Sequence, residues 1–579
     1  MEGAFNELAL TLSPGASEAD VIARLDTLLR PYGGSGAYGR EQQVSHQFVS
    51  SEITETQVTS ILLPTIFLGV TVFLLHMVLS RLVATQREQV GVLKAFGYSS
   101  SAIALHFAGL AVITMISGAI LGAALGLYLA RGLANVYAQF FQFPSTTFIP
   151  DFRIALAALL IASVSGIVGA ATAALRAARL PAAVAMRPEA PPHYSRGILD
   201  RVGILRLPLT GRIIIRNIGR APLKAGLFVL GVALAAALFL TTRYMFDAID
   251  YIARVQFDDV HRWDIMVAFD RPLGDPVKYE LAQLRGVQQV EPFRAIAARL
   301  TAGSRQQRIE LWGLVSDPAL RRVVDARRIS WPPPDDGILI TARLANKLRV
   351  EAGDVIRLEV LTGERVQTDI RVAGEVDELL GMSAYMSEGA LRRTLREAPL
   401  YSGAFLTVMP SEVEGLYREL NRLPRVSGVS SLHTARASFD ETIAESFRIS
   451  LSIAVLFAII IACGVVYNGA RISLSERGRE LASLRILGFS RAEVARMLLG
   501  EQGVLTLFAL PLGFLFGVML CWLVSVRFES DLFRIPLVLE PRSFVLTAVI
   551  ILAAALASGL AVGARIYRLD LVSVLKTRE

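Results

Sequence analysis

The residues of this chain able to do chemistry are few and scattered. Six histidines, His46, His76, His106, His193, His261 and His433, stand apart, with none of the paired spacing a metal would need. Both cysteines, Cys463 and Cys521, fall inside apolar segments, where buried structural thiols are expected rather than a disulfide framework or a metal site. No G-x-x-x-x-G-K-[S/T] run and no Gly-Lys dipeptide occurs, so the phosphate-cradling loop that would hold ATP is missing. A nucleophile elbow, G-x-S-x-G, is missing too. The chain reads as a non-enzyme, with no catalytic, cofactor or metal residues of its own.

What the chain has instead is repetition. Gln89-Val-Gly-Val-Leu-Lys-Ala-Phe-Gly97-Tyr-Ser99 recurs 391 positions later as Glu480-Leu-Ala-Ser-Leu-Arg-Ile-Leu-Gly488-Phe-Ser490, each between two long apolar stretches. The same offset carries Gly122 onto Gly513 and Gly126 onto Gly517, so the register holds through the following segment. Self-similarity over that distance marks an internal duplication. Val90, Leu93 and Phe96, like Leu481, Leu484 and Leu487, give an i, i+3 apolar pattern that predicts a short helix ended by Gly97 or Gly488. Such a helix suits a lipid surface or a groove on a partner. Gly118, Gly122 and Gly126, repeated as Gly513 and Gly517, predict faces where neighbouring helices pack closely.

These elements must sit in a membrane. The chain is 53% hydrophobic and 19% charged, too apolar for a soluble protein of 579 residues. Seven stretches, 58–80, 102–130, 154–175, 225–242, 449–470, 495–526 and 543–564, reach the roughly 20 residues a spanning helix needs. Three polar residues in or beside them, His76, His106 and Glu501, are expected to be locally satisfied. The net charge of +8 reflects arginines beside the spans, not a nucleic-acid surface. Residues 176–224 carry ten Arg or Lys against Glu189 and Asp200, which places that loop in the cytoplasm. Alternation then puts both repeated helices inside, and residues 1–57 and about 243–446 outside.

The outer region alternates strand and helix patterns. Trp263 to Asp270, Asp275 to Leu284 and Gln289 to Leu300 form one predicted β-α-β unit; Ala404 to Met409, a helix from Pro410 and Val426 to Leu432 form a second. Strands at Gly337–Ile340, Val355–Val360 and Thr368–Ala373 form an insert between them. Residues 4–57 parallel only the last part of this region, with a strand to Leu12 and a helix capped by Ser13. The counterpart of span 225–242 would fall before Met1, which predicts a shortened form of an eight-span protein.

At this point the residues resemble the FtsX-like permease family, which includes MacB and the lipoprotein-releasing Lol-type permeases. The segment Glu480-Leu-Ala-Ser-Leu-Arg485-Ile-Leu-Gly488 is similar to the family's E-I-G-x-x-[R/K]-x-x-G motif. Gln89 replaces its glutamate in the first copy and Ala482 its glycine in the second. Arg216 to Lys224 is similar to the family's basic lead-in, and Val184–Arg187 and Val574–Lys576 to its closing motif. The resemblance implies a polytopic α-helical membrane protein with an extracytoplasmic α+β domain, built from two tandem units. Its parts would be a first-domain remnant (1–57), a three-helix unit (58–187), a basic linker (188–224), a span (225–242), a second outer domain (243–446) and a second three-helix unit (447–579).

The resemblance further implies an ABC transporter permease of the bacterial inner membrane that works by mechanotransmission. Partners would be two copies of a separate ATP-binding subunit, which alone binds ATP, together with membrane lipid; an extracytoplasmic adaptor is left open. Gln89, Val90, Gly91, Lys94 and Gly97 in one copy, and Glu480, Leu481, Arg485 and Gly488 in the other, would form the coupling helices, with Lys94 and Arg485 facing an acidic ATPase surface. Charge reversal at Lys94 and Arg485 is expected to weaken that association. The cargo would be a lipid, lipoprotein, peptide or drug-like molecule. Two other functions compete: a scaffold that activates an extracytoplasmic hydrolase, and an ATP-independent secondary transporter. The second would call for broken helices and paired charges at mid-membrane.

Overall fold

The computed structural model describes residues 8–32, 34, 36–140, 147–179, 181, 183, 209–220, 222–363, 365–476, 486–527 and 534–568. The chain divides into two units. One comprises Thr59–Asp247, Ala444–Leu523 and Leu539–Glu579; the other comprises Met1–Val58, Ala248–Ile443 and Val524–Val538.

The first unit is helical, because only a helix satisfies every backbone group inside an apolar segment. Its elements are α2 (Val44–Thr85), α3 (Arg87–Ala95), α4 (Ser100–Phe140), α5 (Phe152–Arg179), α6 (Leu209–Arg220), α7 (Pro222–Arg254), α12 (Leu432–Glu476), α13 (Arg491–Arg527) and α14 (Pro541–Arg568), some of which continue into the other unit. Among the described residues five segments are long and apolar enough to cross a membrane: Ser100–Asn135, Phe152–Ala171, Ala225–Val260, Ala492–Arg527 and Pro541–Ala564. The stretches 58–80 and 449–470 lie within α2 and α12.

Among the described residues, each repeat has a large apolar cluster of its own. In the first, Leu79 and Val83 of α2, Val90 of α3, Ile103, Phe107 and Ala111 of α4 and Ala170 of α5 pack together. In the second, α7 lies at the centre: Phe228, Val232, Ala233 and Ala236 meet Val465 and Val466 of α12, Leu505 and Ala509 of α13, and Ile551 and Ala554 of α14. Buried Asp247 then joins α7 to the start of α14. It accepts the Ser543 hydroxyl and the Glu540 amide, with guanidinium groups of Arg243 and Arg542 at 3.4 and 3.6 Å. The Cys521 thiol is buried against Thr241, the structural role expected of it.

The second unit is α+β. A four-stranded antiparallel sheet runs in the order β11 (Val426–Ser431), β1 (Ile265–Gly274), β10 (Leu400–Val408), β2 (Val287–Ala302). Helices α8 (Pro276–Ala282) and α11 (Val413–Leu420) cover one face, where Val277, Leu281, Leu416 and Leu420 pack on Ile265, Val267, Leu406 and Val408. This is a split β-α-β arrangement, and both predicted β-α-β units are present in it.

The insert closes on itself. Strand β2 continues beyond the sheet to pair with β3 (Arg305–Leu314) and with β7 (Val355–Val360). The ring runs β2, β3, β9 (Ser383–Ser387), β6 (Ile338–Thr341), β8 (Gln367–Val376), β7 and back to β2. While β4 (Val323–Val324) and β5 (Ser330–Trp331) pair apart from it as a short ribbon, these six strands thus make a small barrel without open edges. Its interior is filled by Leu300, Leu311, Ile338, Ile340, Leu358 and Val372, together with Leu344 and Leu348 of α9 (Ala342–Leu348) and Leu391 of α10 (Glu388–Leu395).

The amino-terminal segment departs from expectation. Residues 8–12 form no strand, and Leu8, Leu10 and Leu12 are exposed. Helix α1 (Glu18–Leu29) is capped by Ser17, whose hydroxyl accepts the Asp20 amide, and not by Ser13. Gly15 explains the shift: its φ of +86° is a left-handed turn that a helix begun at Ser13 would have to pass through.

The α+β unit is tied to the ends of the long helices that enter it. Phe257, in the π-helical turn Val255–Val260 after α7, meets Phe439 of α12 edge to face at 5.5 Å. Beside them Arg436 pairs with Asp258 at 2.8 Å. Arg534, between α13 and α14, donates to both carboxylate oxygens of Asp377, and its amide to the Leu379 carbonyl. Ser431 of β11 is followed at once by Leu432 of α12, with no linker residue.

Candidate functional site

The repeated segment forms the predicted short helix in the first copy. The amide of Tyr98 reaches the Leu93 carbonyl at 3.1 Å and that of Gly97 the Lys94 carbonyl at 3.0 Å, a Schellman closure. Gly97 takes φ +88°, a left-handed conformation that would strain most side chains. Ser99 then caps α4 by accepting the Ala102 amide at 3.2 Å. Helix, left-handed glycine and capping serine are one continuous device.

The apolar face is divided in a way that spacing alone did not indicate. Val90 is 3% exposed and packs with Leu79, Val83 and Phe107, and Gly91 is buried beside it. Leu93 and Phe96, in register with Val90, instead point outward at 40% and 79% exposure. Gln89 is exposed and Lys94 half-buried. One side of the helix is anchored to its own bundle and the other is open.

In the second copy Glu480, Leu481 and Arg485 lie outside the described residues. Its end repeats the first copy. Gly488 has φ +97°, Leu487 is 76% exposed where Phe96 stands in the first copy, and Ser490 forms a capping box with Glu493.

The glycine faces do not behave alike. An added Cβ at Gly513 would lie 2.7 Å from Ala236 Cβ, and one at Gly517 2.8 Å from Leu240 Cδ2, so both glycines seat α7 against α13 as expected. At Gly118, Gly122 and Gly126 a Cβ would meet nothing within 4 Å. That face of α4 has no described neighbour: only 6% of the most apolar stretch of α4 is buried, against 67% for α7, while Ile103, Phe107 and Ala111 of α4 pack in the first cluster. His106 is exposed, and His76 is half-buried with Ser80 at 3.5 Å.

The family model for the FtsX-like permease C-terminal domain matches residues 61–182 and again residues 452–571. The chain thus carries two copies of the FtsX-like permease C-terminal domain. Domains of this family are membrane transporter components, and this chain has five described segments long and apolar enough to cross a membrane. Among solved structures it is similar to the periplasmic region of MacB from Actinobacillus actinomycetemcomitans, at 9% identity over 32% of this chain and 95% of that one, with a TM-score of 0.22. It is also similar to the extracellular domain of the noncanonic ABC-type transporter YknZ from Gram-positive bacteria, at 15% identity over 28% of this chain and 92% of that one, with a TM-score of 0.21. No curated protein sequence matches it.

In the α+β unit desolvation shifts Glu378 and His261 in opposite directions. Burial pushes Glu378 up to about 7, although Arg321, Tyr385 and Arg343 pull the other way. The Tyr385 hydroxyl donates to its carboxylate at 3.0 Å, and Arg343 donates to the Glu378 and Leu379 carbonyls. Burial, helped by Arg321, holds His261 down at about 3; the Trp263 indole donates to its Nδ1 at 3.1 Å.

The signs oppose. Between about pH 4.5 and 7 the folded state keeps a proton on Glu378 that the unfolded chain has lost, so this group's contribution falls as pH rises, by on the order of 3 kcal/mol. For His261 the unfolded chain gains a proton below about 6.5 that the folded state refuses until about 3, so stability falls on acidification. Glu378→Gln is therefore expected to remove the alkaline loss, so that the wild type gains stability relative to it from pH 7.5 to pH 5. Unfolding followed through Trp263 and Trp312 fluorescence measures this, and parallel pH curves would refute it.

Proposed function

We propose that this chain is the membrane subunit of an ABC-type transporter whose ATPase subunits are separate polypeptides. The observation that supports the proposal is a duplicated, exposed segment end. Phe96 and Leu487 stand exposed at matching positions, each followed by a left-handed glycine and a capping serine that opens the next long helix. An anchored helix with an exposed apolar side, as Leu93 and Phe96 give the first copy, suits a groove on a partner.

In this proposal both elements face the cytoplasm, each binding one ATPase, and the chain crosses a bacterial inner membrane seven times, at the five segments above and within α2 and α12. ATP-driven closure of the ATPases moves the docking elements, and α2 and α12 carry that motion outward. The extracytoplasmic sheet and barrel then handle a lipid, lipoprotein, peptide or drug-like cargo, alone or with an adaptor. ATP binds only to the partner, and no nucleic acid takes part.

The test is co-purification from a lipid nanodisc with the ATPase encoded beside this gene. The expected product holds two ATPases per chain. A permease that purifies alone under ATP-trapping conditions, or labelling that puts Gln89 and Glu480 on opposite sides of the membrane, would overturn the proposal.

A further inference from the structure

We infer that residues 26–38 form a strap through which α2 of the first repeat acts on the barrel of the second repeat's outer domain, a step that rests on the coupling role proposed above. Three barrel arginines hold the strap. Arg299 of β2 binds Asp26 at 3.2 Å while also binding Glu359 of β7 at 3.0 Å, and both acids are largely buried. Arg308 of β3 donates to the Gly36 carbonyl at 3.2 Å, and its guanidinium lies 4.6 Å from the Tyr38 ring centroid. Arg365, in the turn between β7 and β8, donates to the Gly34 carbonyl at 2.9 Å. Charge-assisted hydrogen bonds and a cation–π contact are stronger than ordinary loop contacts.

The strap is shaped for this seat. Asp26 also accepts the Ala37 amide, which closes the segment upon itself. Gly36 takes φ +87°, and a Cβ there would lie 3.0 Å from Leu361 Cδ1, so the backbone can come this close only as glycine.

The connection to α2 is short. After Tyr38 come Gly39, the 3₁₀ turn Arg40–Gln42 and Gln43 before α2 begins at Val44. Gln47 of α2 donates to the Glu41 carbonyl at 3.0 Å and braces that turn against the helix. The outer domain is therefore held at two places by two repeats: α12 grows out of edge strand β11 of the sheet, and α2 is strapped to the barrel. Relative displacement of α2 and α12 loads the barrel against the sheet along β2, the strand they share.

The test uses the full chain in nanodiscs, in a Cys463→Ser/Cys521→Ala background. Spin labels at Ser45→Cys on α2 and Gln367→Cys on β8 report strap tension; labels at Ser438→Cys on α12 and Gln367→Cys serve as the control pair. With the strap intact the α2–barrel distance distribution is narrow, and in Arg308→Ala/Arg365→Ala it roughly doubles in width while the control pair holds. A parent distribution already as broad as the variant's, or a variant as narrow as the parent, overturns the inference. Asp26→Asn/Tyr38→Ala loosens the strap from its own side and leaves every barrel residue in place; failure to broaden there overturns it equally. Loss of the ATPase complex with these distances unchanged would sink the coupling role and spare the strap, whereas unchanged complex formation with no strap dependence would do the reverse.

Discussion

Phe96→Asp combined with Leu487→Asp is expected to abolish assembly with the ATPase subunit. Among the described residues of the two repeated segments these are the most exposed large apolar side chains, at 79% and 76%, and neither belongs to the apolar clusters of its own repeat. Aromatic and aliphatic anchors that fill a partner's pocket are each worth about 2 kcal/mol or more, roughly 30-fold in affinity, so two independent anchors amount to about 1,000-fold. Lys94→Glu alone should act more mildly, through encounter rate and salt dependence, because a rim charge steers more than it binds. Affinity of the nanodisc-embedded permease for immobilised ATPase measures both effects. Wild-type affinity in the double aspartate variant would remove these residues from the interface.

The second large effect lies in the helical unit. Gly513→Leu with Gly517→Leu should destabilise it severely, since each new side chain must enter space held by Ala236 or Leu240, with the Ala233 carbonyl 3.0 Å from the first Cβ. Overpacking of this kind costs about 1–3 kcal/mol per site, and in lipid the close approach of backbones is itself what holds helices together. The matched pair Gly122→Leu/Gly126→Leu meets open space and should stay within about 0.5 kcal/mol of wild type. Thermal aggregation of the detergent-solubilised variants compares the two pairs directly. Equal losses would mean that the repeats are packed alike, against the observed asymmetry.

The contrast between those pairs shows what sequence can and cannot reveal. Repetition exposed the glycines in both copies, but whether a helix faces them depends on a distant segment, α7, which covers Gly513 and Gly517 and not their counterparts. The long helices were legible because an apolar run of that length has few alternatives. The sheet was legible from alternation: Leu406 and Val408 turn inward with Thr407 between them. The barrel was only half legible. Strand β3 opens with Arg305-Gln-Gln-Arg308, which masks its pattern, β9 has five residues, and the closing pair β2–β7 joins segments about sixty positions apart.

In the first repeated helix the i, i+3 spacing predicted the helix but grouped Val90, Leu93 and Phe96 on one face. The bundle takes the first and leaves the other two outside, a choice set by the neighbours Leu79 and Phe107. The strap had only a glycine-rich run, Gly34-Ser-Gly36-Ala-Tyr38-Gly39, to mark it. Its partners are arginines some 270 positions away or more, and no local pattern announces them.

The seamless passage from Ser431 to Leu432 limits how α12 can move against β11. A helix advances about 1.5 Å per residue and a strand about 3.3 Å, so a one-residue creep of α12 along its axis is less than half of the step needed to re-pair β11 with β1. Slippage is blocked, because re-pairing would also turn every side chain to the opposite face. With no slack residue between them, β11 and the first turns of α12 must turn together, as one solid lever rather than a tether.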